Sequence, residues 1–352
     1  MYKVTFAQLL FSTIIWLLSY FYYKKDMYHL SSSKRGYLFF AIIITLFSVY
    51  GFAAADFWHY YEIYDEVALG RSPYSLEDIY SFFIMNTSKD YYLWRLIVWG
   101  LSTYMLVLFM RRIKAPFKFS AFIFVVILMA YYCAPRNTLA FFVMYYFYSF
   151  ILFPLKNRVA SYVIGLCGMF ASIFFHNSMP LYIALSLLSL VPIKKSIYVT
   201  LLYLFPLFYL SFNYLSSNVL DLSFGGVAFQ GLGNSYLDAE QGVHFTVLGY
   251  IEMALNRLPA LILLYILIKT NNNKVVRAFV ANTFFLMYIS FLFLNQPVSA
   301  FLTTRFWSAC TYPLFVAVSL GLFYNRSKLV LNCYKLLAVA TMYSFLYNLY
   351  KV

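Results

Sequence analysis

Residues 92–110 read Tyr-Leu-Trp-Arg-Leu-Ile-Val-Trp-Gly-Leu-Ser-Thr-Tyr-Met-Leu-Val-Leu-Phe-Met, and the cluster Arg111, Arg112, Lys114 follows at once. A helix needs about 20 mostly apolar residues to cross a bilayer. This run has that length and one charge, Arg95, near its start. The basic cluster behind it is what the positive-inside rule assigns to the cytosol. The run therefore predicts a membrane span.

The same alternation extends both ways along the chain. Twelve spans are expected, at approximately 4–23, 36–54, 92–110, 118–135, 138–154, 159–175, 178–193, 197–216, 246–268, 278–297, 305–324 and 329–350. Only Lys3 precedes the first run and no small-residue cleavage site follows it, so it is expected as a retained span rather than a signal peptide. Alternate loops carry Lys24, Lys25, Lys34, Arg35; Arg111, Arg112, Lys114, Lys118; Lys156, Arg158; Lys194, Lys195; Lys269, Lys274, Arg277; and Arg326, Lys328, which is 17 of the 26 basic residues with one acid, Asp26. The other 11 of the 12 acids fall in or beside the opposite loops. Both chain ends and the two long loops, about 55–91 and 217–245, are thereby expected outside. The fold class read from this is all-α: a polytopic transmembrane bundle forming one integral membrane domain over 1–352.

Composition agrees. The chain is 63% hydrophobic and 11% charged, against about 25% charged in an ordinary soluble domain. Its formal charge of +14 sits in short clusters between apolar runs, as topology signals do, so no nucleic-acid partner is expected. Cys133, Cys167, Cys310 and Cys333 lie within apolar runs without CxxC spacing, which indicates neither disulfide framework nor zinc site.

Long structured loops concentrate function, so the outer face is where to look. Arg95, Arg136, Arg257 and Arg305 stand at or near outer span ends, where no topology rule wants a cation. Each alone is explained by an outer acid or by snorkelling to headgroups. Four together favour a shared anionic ligand, since the planar guanidinium binds phosphate oxygens bidentately and stays charged. His176, in Phe175-His176-Asn177-Ser178 at the outer end of the sixth span, is placed to act as base, acid or hydrogen-bond donor, or to bond a carbonyl. Asp56, His59 and Glu62 are spaced i, i+3, i+6 in an acidic, aromatic stretch that also holds Asp65 and Glu66. That spacing suits either a divalent ion or an interfacial helix, and no metal or cofactor is assigned to it. Aromatics beside carboxylates also suit sugar. The glycines at 225, 226, 231 and 233 form neither GxGxxG nor GK[ST], and HExxH, GxSxG and DxD are absent.

Asp56-Phe57-Trp58-His59-Tyr60, Asp90-Tyr91-Tyr92-Leu93-Trp94-Arg95, Arg136-Asn137-Thr138-Leu139-Ala140, Phe175-His176-Asn177-Ser178 and Arg305-Phe306-Trp307, in this order and topology, resemble the EpsG-like branch of the Wzy-type bacterial polysaccharide polymerases, over nearly the whole chain. Where relatives often have a small residue and a Tyr-Phe pair after the last arginine, this chain has Phe306-Trp307 and Tyr312. The resemblance implies a GT-C-like bundle in the bacterial cytoplasmic membrane with its active site facing outward. Donor and acceptor would be polyprenyl-diphosphate-linked oligosaccharides, joined with release of polyprenyl diphosphate, and a chain-length regulator is an expected partner. It assigns Arg136 and Arg305 to the diphosphate with Arg257 and Arg95 as helpers, and His176 as base ahead of Asp56 or Glu66. The rival readings are a flippase for lipid-linked sugar, and another lipid-dependent membrane glycosyltransferase or O-acyltransferase.

Overall fold

The computed structural model describes residues 55–71, 78–86, 90–113, 135–188, 190, 247–270 and 274–292, with single helical positions at 41–42, 45, 197, 200, 204 and between 310 and 337. The expected spans at 4–23, 36–54, 118–135, 197–216, 305–324 and 329–350 and the loop at 217–245 lie wholly or mostly outside these residues. Among the described residues the chain is all-helical: α1 (Ala55–Ala68), α2 (Asp78–Asn86), α3 (Tyr91–Arg112), α4 (Pro135–Leu152), α5 (Arg158–Ala171) continued by a 3-10 turn (Ser172–Phe175), α6 (Met179–Leu188), α7 (Val247–Thr270) and α8 (Lys274–Leu292).

Helix α3 is the decisive run of the sequence. Asp90, in extended conformation, starts it by accepting the amides of Tyr92 at 2.9 Å and Leu93 at 3.2 Å, which satisfies two amides that have no partner inside the helix. At the far end Arg112 donates to the Phe153 carbonyl at 2.6 Å and lays its guanidinium 3.6 Å from the Phe150 ring centroid. The end of α4 is thereby tied to the end of α3. At their other ends Trp94 and Val98 share a buried cluster with Leu139 and Val143. The two helices therefore run parallel.

The turn from α4 to α5 is built by Ser161, whose hydroxyl accepts the Leu155 amide and donates to the Phe150 carbonyl, both at 2.9 Å. Asn157 caps α5 through the Ala160 amide. Helix α5 then buries only Ser161, Gly165, Gly168 and Met169. A Cβ on Gly168 would overlap the Phe147 ring, and one on Gly165 would stand 2.7 Å from Ile151. These glycines set the approach of α5 to α4. The opposite side of the run exposes Val159, at 73%, Tyr162, Val163, Ile164, Leu166, Phe170 and Phe174, at 72%. Water does not tolerate such a face, and lipid does. Tyr91–Arg112 and Arg158–Phe175 are each long and apolar enough to cross a membrane, the second with only 28% of its apolar window buried, unlike the core helix of a soluble protein.

Helix α8 is enclosed on nearly all sides from Phe279 to Tyr288, as a central helix must be. Phe279 meets Phe109 of α3 at 5.3 Å and Tyr145 of α4 at 6.0 Å between ring centroids. This contact sets the Lys274 end of α8 beside the Arg112 end of α3. Asn282 donates to the Tyr145 hydroxyl at 3.4 Å and to Ser186 of α6 at 3.1 Å, which joins three helices through one buried amide. The Thr45 hydroxyl bonds Thr103 of α3 at 3.2 Å.

At the opposite end α1 and α2 lie over α3 and α4. Ile63, Tyr64 and Val67 of α1, Tyr80 and Ile84 of α2, Tyr91, Trp94 and Val98 of α3, and Leu139 and Val143 of α4 form one buried cluster. Trp94 stands at its centre: Tyr91 stacks on it at 5.8 Å, while Tyr64 and Tyr80 approach at 6.1 and 6.4 Å. The expected outer loop at 55–91 thus holds two packed helices. Gly70 at φ 78° ends α1, its amide and that of Arg71 bonding back to the carbonyls of Val67 and Glu66, the left-handed stop for which glycine is suited.

Two outcomes test this packing. Gly168→Leu overfills the α4–α5 contact and lowers stability by about 1–3 kcal/mol, read as a fall in the thermal midpoint in detergent, whereas Val159→Leu on the exposed face leaves it unchanged. Trp94→Ala opens a cavity under α1 and α2 worth about 3–5 kcal/mol and makes residues 55–86 sensitive to protease added to proteoliposomes.

Candidate active site

Arg95 stands one turn into α3, 3% exposed, and its Nη1 donates to the Tyr91 hydroxyl at 3.2 Å. The guanidinium carbon is 5.6 Å from the Tyr91 ring centroid. Tyr91 in turn meets the edges of Tyr61 at 5.2 Å and Tyr64 at 5.5 Å. The i, i+4 spacing of Tyr91 and Arg95 is what lets the guanidinium reach back over the phenol ring. Arg95 therefore lies against the Tyr91 ring, which Tyr61 and Tyr64 of α1 contact in turn.

Arg136 lies in the first turn of α4 and is half-buried, and its carbonyl accepts the Tyr80 hydroxyl at 3.3 Å. Tyr80 also edges onto Trp94. Arg95 and Arg136 are thus joined through Tyr91, Trp94 and Tyr80. Asn137 and Thr138 beside Arg136 are buried.

His176 terminates the 3-10 turn in extended conformation, its amide bonding the carbonyls of Ser172 and Ile173 at 3.3 and 3.1 Å. Phe175, the residue before it, packs against the Trp94 cluster. The imidazole Nδ1 lies 3.1 Å from the Ser178 amide nitrogen and 2.7 Å from the Ser178 hydroxyl. Elements carrying Arg95, Arg136 and His176 therefore converge on one aromatic cluster.

The acids of α1 divide. Glu62, Asp65 and Glu66 are exposed. Asp56 and His59 lie on the helix, and their side chains fall outside the described residues. At 1.5 Å per residue Asp56 and Glu66 are about 15 Å apart along α1, too far for both to serve one reacting atom. Among the described residues no three His, Cys, Asp or Glu side chains come together as metal ligands.

Arg257 belongs to a different part of the bundle. Helix α7 is continuous through Pro259, which cannot donate to the Leu255 carbonyl, and Arg257 is 2% exposed within it. It lies within electrostatic reach of the Cys310 thiol, which is itself buried and within reach of Tyr145. Arg305 lies outside the described residues. Tyr91, Trp94 and Ser178 stand in stretches that carry the family resemblance but had no role assigned there, and Tyr80 had no signal in the sequence. With 36 Tyr and 39 Phe in the chain, aromatic type alone carries no positional signal. Asn282, a lone amide inside an apolar run, is the one such residue that pattern alone could have flagged.

Seven basic residues gather at the other end of the helices: Arg111, Arg112, Lys156, Arg158, Lys269, Lys274 and Arg277. The Trp94 end holds the exposed acids of α1. No curated protein and no solved structure matches the chain. The EpsG family model matches residues 36–352, a span that takes in every helix described above. The chain therefore belongs to the EpsG family, membrane proteins of polysaccharide biosynthesis with a polymerase-like, glycosyl-transferring function.

Proposed function

We propose that this protein is a polymerase of the bacterial cytoplasmic membrane, one integral domain of about twelve spans, that joins polyprenyl-diphosphate-linked oligosaccharide repeat units at the outer face. The observation that carries the reading is the convergence of the elements bearing Arg95, Arg136 and His176 on the Trp94 cluster, at the end away from the basic residues that the positive-inside rule assigns to the cytosol.

In the proposed reaction a hydroxyl of the acceptor forms a bond to the anomeric carbon of the donor. The bond from that carbon to the diphosphate oxygen breaks, and its electron pair leaves with polyprenyl diphosphate. The hydroxyl proton passes to a protein group, His176 or a carboxylate of α1. Negative charge grows on the departing diphosphate, so fixed guanidinium groups lower the barrier more than they stabilise the bound donor. Arg136 and Arg305 take that role, with Arg95 and Arg257 as helpers. The exposed Tyr61 ring beside the exposed acids of α1 suits a sugar surface. A chain-length regulator is the protein partner this activity calls for.

One observation favours the flippase reading: Arg257, Cys310, Tyr145, Asn282 and Ser186 form a buried polar tract within the bundle, where a translocation route would place polar groups. Purified protein in proteoliposomes, given lipid-linked repeat units extracted from a polymerase-deficient strain, separates the two. Lengthened chains are expected, and translocation without lengthening refutes the polymerase.

The double variant Arg136→Ala, Arg305→Ala is expected to lower chain lengthening at least about 100-fold at unchanged protein level in the membrane, and normal polymer from it removes the diphosphate site. EDTA is expected to leave the rate unchanged, which a rate restored only by added divalent ion would contradict.

A further inference from the structure

His176 is followed by a turn that fixes more than its backbone. The Met179 amide bonds the His176 carbonyl at 3.1 Å, closing a four-residue turn, and the Ser178 amide then points back at the imidazole, 3.1 Å from Nδ1. The imidazole occupies the place of the side-chain acceptor in an Asx turn, two residues before the amide it receives. A backbone amide only donates. Nδ1 must therefore present its lone pair to that amide, and the Ser178 hydroxyl stands 2.7 Å from the same atom.

The consequence follows from the two ring nitrogens being alternatives. A neutral imidazole carries one proton, and with Nδ1 held as acceptor that proton is on Nε2. Protonation of Nδ1 would set its N–H against that of the Ser178 amide and cost that bond, leaving the Ser178 hydroxyl as the one group there able to accept. A general base of the familiar kind needs the reverse tautomer, with Nδ1–H bonded to an orienting group and the Nε2 lone pair free to take a proton. Here the only lone pair of the neutral ring is engaged by the turn.

We infer that His176 is a hydrogen-bond donor through Nε2–H to an oxygen of the lipid-linked diphosphate, held in that tautomer by the Ser178 amide, and that the base of the reaction is a carboxylate of α1. This rests on the polymerase reading. The acceptor oxygen still bonds the anomeric carbon as the bond to diphosphate breaks, and the hydroxyl proton goes to Asp56 or Glu66 and from there to water. Nε2–H adds a neutral donor to the guanidinium groups around the departing oxygens, and His176 keeps its proton throughout. Ser178 is a positioning residue that acts through its backbone.

Two measurements decide it. Nitrogen NMR of the full chain in lipid nanodiscs, labelled at histidine, identifies the His176 ring by the resonances that His176→Gln removes. Nδ1 unprotonated and Nε2 protonated near neutral pH is the expected result, and an unprotonated Nε2 or a doubly protonated ring overturns the assignment. The second is chain lengthening of the extracted lipid-linked repeat units in proteoliposomes. Glutamine sets an amide N–H near the position of Nε2 and has no basic nitrogen, whereas asparagine reaches only the position of Nδ1. His176→Gln is expected to keep at least a tenth of the wild-type rate, with His176→Ala and His176→Asn about 100-fold down. A His176→Gln protein that is correctly inserted and as inactive as His176→Ala overturns the donor role. Wild-type protein that lengthens nothing sinks the polymerase reading and with it the catalytic assignment, while the ring nitrogens still report the tautomer.

Discussion

Hydrocarbon offers no hydrogen bonds, and most of the described architecture follows from that one constraint. Every backbone amide and carbonyl inside the membrane must be paired by the chain itself, which leaves helices as the only local form available to these apolar runs. Hydroxyl side chains obey the same rule by bonding back into their own helix: Ser102 to the Val98 carbonyl at 2.7 Å, Thr103 to Trp99 at 2.8 Å and Thr283 to Phe279 at 2.8 Å. Groups that cannot be satisfied locally reach across helices instead. Asn282 is the clearest case, and its reach to Tyr145 and Ser186 sets three helices in register.

Helix positions were legible where local chemistry fixes them. The expected span at 92–110 became Tyr91–Arg112 because an apolar run, a capping aspartate and a pair of arginines all point to the same ends. The span expected to begin at 138 starts three residues earlier, at Pro135, and proline in the first turn is itself a recognised start. The apolar run at 246–268 is a single helix, Val247–Thr270, despite Pro259. The span expected at 178–193 is described as Met179–Leu188. The parallel course of α3 and α4 was legible, since both expected spans run toward basic loops, but their packing against each other was not, because it depends on Arg112 reaching Phe153 and on Trp94 meeting Leu139.

The same division holds for the candidate site. That Arg95, Arg136 and His176 share one end of the bundle follows from topology alone, which charge patterning supplied. What links Arg95 to the Arg136 backbone is a chain of contacts through Tyr91, Trp94 and Tyr80; the first two lie in a stretch that carries the family resemblance, and nothing in a chain so rich in aromatics marks Tyr80 out. The bond that the His176 ring receives from the Ser178 amide is invisible to residue type. Arg257 shows the opposite situation, for its depth was readable from an unbroken apolar run and its surroundings were not.

The parallel course of α3 and α4 also polarises this pair of helices. Each helix carries the equivalent of about half an elementary charge, positive at its first turn and negative at its last, and two aligned helices add rather than cancel. Their negative poles are met at once by Arg111 and Arg112, the latter donating to the Phe153 carbonyl just past the end of α4. Their positive poles open beside Arg95 and Arg136, with the Asp90 carboxylate opposing only one of them. The backbone itself thus lays down a standing attraction for anions at the end of the bundle where the arginines already lie.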